Sequence, residues 1–83
     1  MSVVMTALED LRKRLDISDE KFAARAGVSV STYSRQKNGK QVLGGETLRA
    51  YANIAMQEND AELLKLMAAF AIGLEPDQVD VRI

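Results

Sequence analysis

The chain has 83 residues, with no cysteine, histidine or tryptophan, and eleven basic side chains against twelve acidic ones. Disulfides are excluded, a metal site would have to be built from carboxylates alone, and nucleophilic catalysis has no histidine base to draw on. The length fits one small domain, and a net charge of −1 with a sequence pI near 5.3 argues against a protein that coats nucleic acid by bulk charge.

Val4, Leu8, Leu11 and Leu15 recur at i, i+4, i+7 and i+11, which predicts an amphipathic helix from about Thr6 to Leu15. Ser18 is placed to cap a second helix, with Asp19 and Glu20 in its first turn complementing the helix dipole, and that helix runs to Ala26. Gly27 then makes a tight turn, and Ser29 caps a third helix that ends near Asn38 and Gly39. Gly44 and Gly45 break the chain before a fourth helix from Glu46 to about Met56, with Leu48, Ala52 and Ala55 inward.

Asn59 and Glu62 are spaced as a capping box for a fifth helix, which Gly73 and Pro76 terminate. Its apolar positions, Leu63, Leu64, Leu66, Met67, Phe70, Ala71 and Leu74, cover a wider arc than one core-facing stripe needs, so part of it is expected to face a second subunit. Tyr51 and Phe70 are both expected on core faces. Small size points the same way, because a chain this short gains stability from oligomerisation.

Val79, Asp80, Val81, Arg82 and Ile83 alternate with period two, which is strand-like, and the only other candidate strand is Ser2 to Met5. Two readings stand: a strand that pairs with its symmetry mate or swaps onto a partner, or an unpaired terminus. The organisation is a domain over residues 1–75 and a tail over 76–83. The Leu63 to Leu74 stretch is interrupted by Lys65 and too short to span a bilayer, and the N-terminus lacks signal-peptide character, so a cytoplasmic or nucleoid-associated protein without a membrane partner is expected.

From Ile17 to Lys40 the features combine into a pattern: a polar helix start at Ser18, apolar Phe22, Ala23 and Ala26, Gly27 followed by Val28, apolar Tyr33, then Asn38, Gly39 and Lys40. Val28 and Tyr33 are spaced as a hydrophobic staple around Ser29. This stretch resembles the Cro/repressor (Xre-type, lambda-repressor-like) helix-turn-helix family, and the likeness extends more loosely through Glu46 to Ala52, covering residues 4 to about 56. The resemblance implies an all-α, five-helix domain that binds double-stranded DNA as a homodimer without a cofactor, acting as a small repressor-like transcriptional regulator with helix 3 in the major groove. The C-terminal strand would be an addition used in dimerisation.

On that reading Val30, Ser31 and Arg35 fall where base-contacting residues sit. Arg35 can bond guanine O6 and N7 together, Ser31, Thr32 and Ser34 can donate or accept, and Val30 can pack on a thymine methyl. Phosphates would be held by amides at the starts of helices 2 and 3 and by Ser29, Arg25, Asn38, Lys40 and the Gln41 side chain. Charge is distributed accordingly: residues 1–40 carry eight Lys/Arg against five acids, net +3, and residues 41–83 carry three against seven, net −4.

Three positions depart from the family pattern. Asp19 stands where a glutamine commonly binds phosphate, so its charge would repel the DNA backbone. Gln36 replaces a large apolar residue, which predicts weaker packing at the end of helix 3. Lys37 stands where a glutamate often pairs with an arginine of helix 1, here Arg12, so either Asp16 or Glu9 neutralises it or it swings toward solvent. An enzyme is not expected, since the scattered acidic clusters imply no pocket. The rival expectation is the same fold used as a protein-interaction module in a regulatory complex, favoured by Asp19 and the low pI.

Overall fold

Each predicted helix forms: α1 is Val3–Leu15, α2 Asp19–Ala26, α3 Val30–Lys37, α4 Gly45–Gln57 and α5 Ala61–Ile72, in a computed structural model that describes residues 2–73. The described residues are all-α. The expected strand over 79–83 and the stop at Pro76 lie outside them.

The caps explain where the helices begin. Ser2, Ser18 and Ser29 each accept a hydrogen bond from the backbone N–H three residues on, at 3.1 Å in all three cases. The cap at Ser2 starts α1 three residues earlier than the apolar stripe predicts, adding a turn that buries Val4 and Met5. Before α5 the expected cap at Asn59 is corrected. Asn59 takes a left-handed conformation, φ 52°, and Asp60 is the cap, its Oδ1 accepting from the Leu63 N–H at 3.1 Å. Gly45 joins α4 as its first residue, one earlier than expected.

The turn between α2 and α3 is set at Gly27, φ 76°, where the N–H groups of Gly27 and Val28 return to the carbonyls of Ala24 and Ala23. Glycine enters this left-handed region at little cost, so α2 stops within one residue and α3 leaves at a fixed angle.

Phe22, Tyr33 and Tyr51 meet at the centre of the core with Val4, Met5, Leu8 and Ile54. The Phe22 and Tyr33 rings are 5.3 Å apart, and Tyr33 and Tyr51 meet edge-on at 6.0 Å. Such pairs are worth about 0.5–1.5 kcal/mol beyond their area. They join α2, α3 and α4 through one cluster.

Arg14 of α1 reaches Asp60 at the start of α5, 3.3 Å away, tying the end of one helix to the start of the other. Leu63 and Met67 form the buried stripe of α5, against α1 and α4. Phe70 is not a core residue: it is 46% exposed, and Ile72 is more so. The physical reason is the face it occupies: Ala69 in the same turn is 3% exposed and takes the core side, which turns Phe70 about 100° away from it. No helix among the described residues is long and apolar enough to cross a membrane.

Candidate nucleic-acid interface

α3 is an eight-residue helix whose two faces are built differently. Its inner face carries Tyr33, Gln36 and Lys37. The Tyr33 hydroxyl donates to Glu9 Oε2 at 2.6 Å, and Lys37 Nζ donates to Asp19 Oδ2 at 2.9 Å while lying 3.7 Å from Glu9 and 5.6 Å from the centre of the Tyr33 ring. Arg12 closes the cluster. It bonds Glu9 through Nε and Nη2, donates from Nη1 to the Ile17 carbonyl at 2.7 Å, and holds Asp19 Oδ1 2.9 Å from Nε. That last contact lies off the N–H direction and acts through charge alone, leaving Asp19 Oδ1 without a hydrogen bond.

Two carboxylates and two cations therefore balance inside the junction of α1, α2 and α3. The Arg12 hydrogen bonds are the largest influence on Glu9, and with help from Tyr33 and Lys37 they outweigh burial and lower its pKa from 4.5 to about 2. The same bond raises Arg12. Burial, reinforced by Glu9, raises Tyr33, and burial alone pushes Tyr51 up to about 12. Glu9 is thus the acceptor and Tyr33 the donor throughout the neutral range.

These contacts correct the three departures. Lys37 is neutralised chiefly by Asp19, with Glu9 in support; Asp16 plays no part, being the left-handed C-cap of α1, and Lys37 does not swing outward. Asp19 presents no free charge to a phosphate, since both its oxygens face cations. Gln36 packs firmly, being 3% exposed. Its Nε2 donates to the Val42 carbonyl at 3.2 Å and Thr47 Oγ1 at 2.9 Å, and its Oε1 accepts from the Tyr51 hydroxyl at 2.6 Å. An amide replaces an apolar contact here because every group it brings is satisfied.

With Tyr33, Gln36 and Lys37 fixed inward, the outer face presents Ser29, Val30, Ser31, Arg35, Asn38 and Lys40 to solvent, and half-buried Thr32 and Ser34 lie between them. Ser29 Oγ donates to Thr32 Oγ1 at 2.9 Å, and Asn38 Nδ2 lies 3.5 Å from Ser34 Oγ. Only one amide at each helix start is capped by its serine, so the first N–H groups of α2 and α3 remain open to an anion. Arg25 is not brought to this group as a free cation. Its guanidinium is bound to Gln57 at 2.7 Å and Glu58 at 3.0 Å, bracing α2 against the end of α4.

The loop after α3 adds a feature that no helical periodicity announces. Val42 is 83% exposed, an apolar side chain directly following Gln41 and facing water. Its signal was an apolar residue in a polar, glycine-flanked loop, which gave no helical periodicity to read.

The family model described as helix-turn-helix matches residues 8–54, from the second half of α1 to within α4, and so includes the whole α2–turn–α3 unit. Neither the curated proteins nor the solved structures yield a match to the chain.

Proposed function

Since the chain belongs to the Cro/repressor (Xre-type) helix-turn-helix family, a family of DNA-binding regulators, we propose that it binds double-stranded DNA sequence-specifically as a small repressor-like regulator, with α3 in the major groove. One observation carries this reading. The outer face of α3 and the loop after it gather Arg35, Asn38 and Lys40 beside small polar side chains, while Asp19 at the start of α2 is paired with Arg12 and Lys37. Val30, Ser31, Thr32, Ser34 and Arg35 face base edges; Ser29, Asn38, Lys40 and the open amides of α2 and α3 hold phosphates.

The functional unit is a homodimer formed through α5, whose Phe70 and Ile72 are exposed. A two-fold dimer requires a palindromic site with half-sites about one helical turn apart, roughly 34–36 Å. The second reading, a protein-interaction module, draws on the net charge of −4 in residues 41–83.

Selection from random duplexes at two salt concentrations tests the proposal. Enrichment of a palindrome, with affinity falling steeply as salt rises, is the expected result. No retention at low salt would overturn it in favour of the interaction module. On the enriched site Arg35→Ala should cost about 1–3 kcal/mol and relax specificity at one position.

A further inference from the structure

The side chain of Arg35 is not a free arm. Its Nε donates to Gln41 Oε1 at 2.8 Å, and its Nη2 lies 3.5 Å from Thr32 Oγ1, which itself accepts from Ser29. The backbone enforces the first contact. Gly39 takes φ 75°, and the chain folds back so that the N–H groups of Lys40 and Gln41 both reach the Arg35 carbonyl, at 2.8 and 3.2 Å. Gln41 is thereby locked beside the residue whose side chain it holds. Because a guanidinium only donates, Gln41 turns its oxygen toward Arg35, which leaves its own NH2 pointing away.

We infer that Gln41 is a specificity-determining positioning residue, which fixes the Arg35 guanidinium so that the pair presents a surface of donors alone and selects a guanine. This rests on the DNA-binding reading above. With Nε committed to Gln41, Arg35 offers its two terminal nitrogens, and Gln41 adds its amide donors alongside. Guanine answers with two acceptors, O6 and N7, in the major groove; adenine and cytosine each place an amino donor there and meet the pair donor to donor, and thymine offers one acceptor, O4, beside its methyl. Holding an exposed, rotamer-rich arginine before binding removes part of the ordering cost from the bound state.

The test compares Gln41→Ala and Gln41→Glu with the wild type by selection from a random duplex library, followed by titration of the enriched duplex and its single-base variants. Both changes fall on an exposed loop side chain, so folding is checked by circular dichroism and is expected to be unchanged. The wild type should prefer guanine at one position of each half-site by about tenfold or more. Gln41→Ala should reduce that preference to about threefold or less. Gln41→Glu retains an acceptor for Arg35 Nε but replaces the amide donors with a carboxylate oxygen that can accept from adenine or cytosine, so it should lower the guanine preference while Arg35 stays held, and weaken binding to every duplex through its charge.

In the free protein, exchange of the Arg35 Nε–H with water, followed by NMR, should be slowed in the wild type and in Gln41→Glu and fast in Gln41→Ala. If Gln41→Ala lowers affinity equally on all duplexes with the guanine preference intact, Gln41 is only a phosphate contact and the inference falls while the DNA reading stands. If the wild type enriches no site, both fall together.

Discussion

The junction of α1, α2 and α3 and the packing of α5 solve the same problem by different chemistry. At the junction, Glu9, Arg12, Asp19, Tyr33 and Lys37 interlock over an aromatic cluster, and Gln36 fixes the far end of α3 to Tyr51, Thr47 and the Val42 carbonyl. α5 is held mainly by Leu63 and Met67 against α1 and α4, and it leaves Phe70 and Ile72 in water. Hydrogen bonds and ion pairs are directional, so they set the rotation of α3 closely; apolar burial is non-directional and only keeps an apolar stripe turned toward the core. The helix proposed to meet bases is the one whose orientation is fixed by polar contacts. The helix proposed to meet a second copy carries surplus apolar surface instead.

Removing the centre of the polar network should produce the largest effect. Glu9→Ala strips the partner from Tyr33 and Arg12 and leaves two cations facing Asp19 alone; the expected loss is about 3 kcal/mol or more in urea unfolding, the scale of breaking a buried ion pair from one side. The same carboxylate makes the junction acid-sensitive. Its folded pKa of about 2 lies below the ordinary 4.5, so its contribution is complete above about pH 4.5 and is lost as the pH falls toward 2, by about 3 kcal/mol in all. The Glu9→Ala protein should show a flatter stability curve over that window. Equal acid sensitivity in the two proteins would place the titrating group elsewhere.

Gln36→Ala comes next, at about 2 kcal/mol, because it leaves the buried Tyr51 hydroxyl and the Val42 carbonyl without their partner. A loss of only a few tenths would mean that water reaches both groups. Phe70→Ser is expected to be the mildest, within about 0.5 kcal/mol for unfolding of the monomer, since the ring is already half in water. Sedimentation analysis of the same variant should show weakened self-association. A large loss of monomer stability would instead put Phe70 in the core and erase the contrast between the two regions.

Local signals made most of the fold legible. Ser18, Gly27 and Ser29 set the helix-turn-helix unit through caps and one left-handed turn, effects that act within three or four residues and so appear in the sequence itself. The cap falls at Asp60 and not at Asn59 because Asn and Asp compete for such positions and only backbone geometry decides between them. What the sequence concealed was pairing across helices. Asp19 and Lys37 are 18 positions apart and read separately as an unfavourable acid and an orphaned base; together they form a contact at 2.9 Å. Gln36 looked like a packing defect until its partners on α4 and in the loop were known. Of the candidate interface, the outer face of α3 followed from helical periodicity. The engagement of Arg25 with Glu58 and of Arg35 with Gln41 depended on how separate elements fold back on one another.

The central claim is that α3 and the loop after it form the nucleic-acid surface while α5 does not. Backbone amide chemical shifts followed by NMR during titration with a duplex recovered by selection test this most directly. The perturbed amides should cluster in residues 29–42 and at the start of α2, with those of α5 changed little. Perturbations centred on α5, with residues 29–42 unaffected, would contradict it.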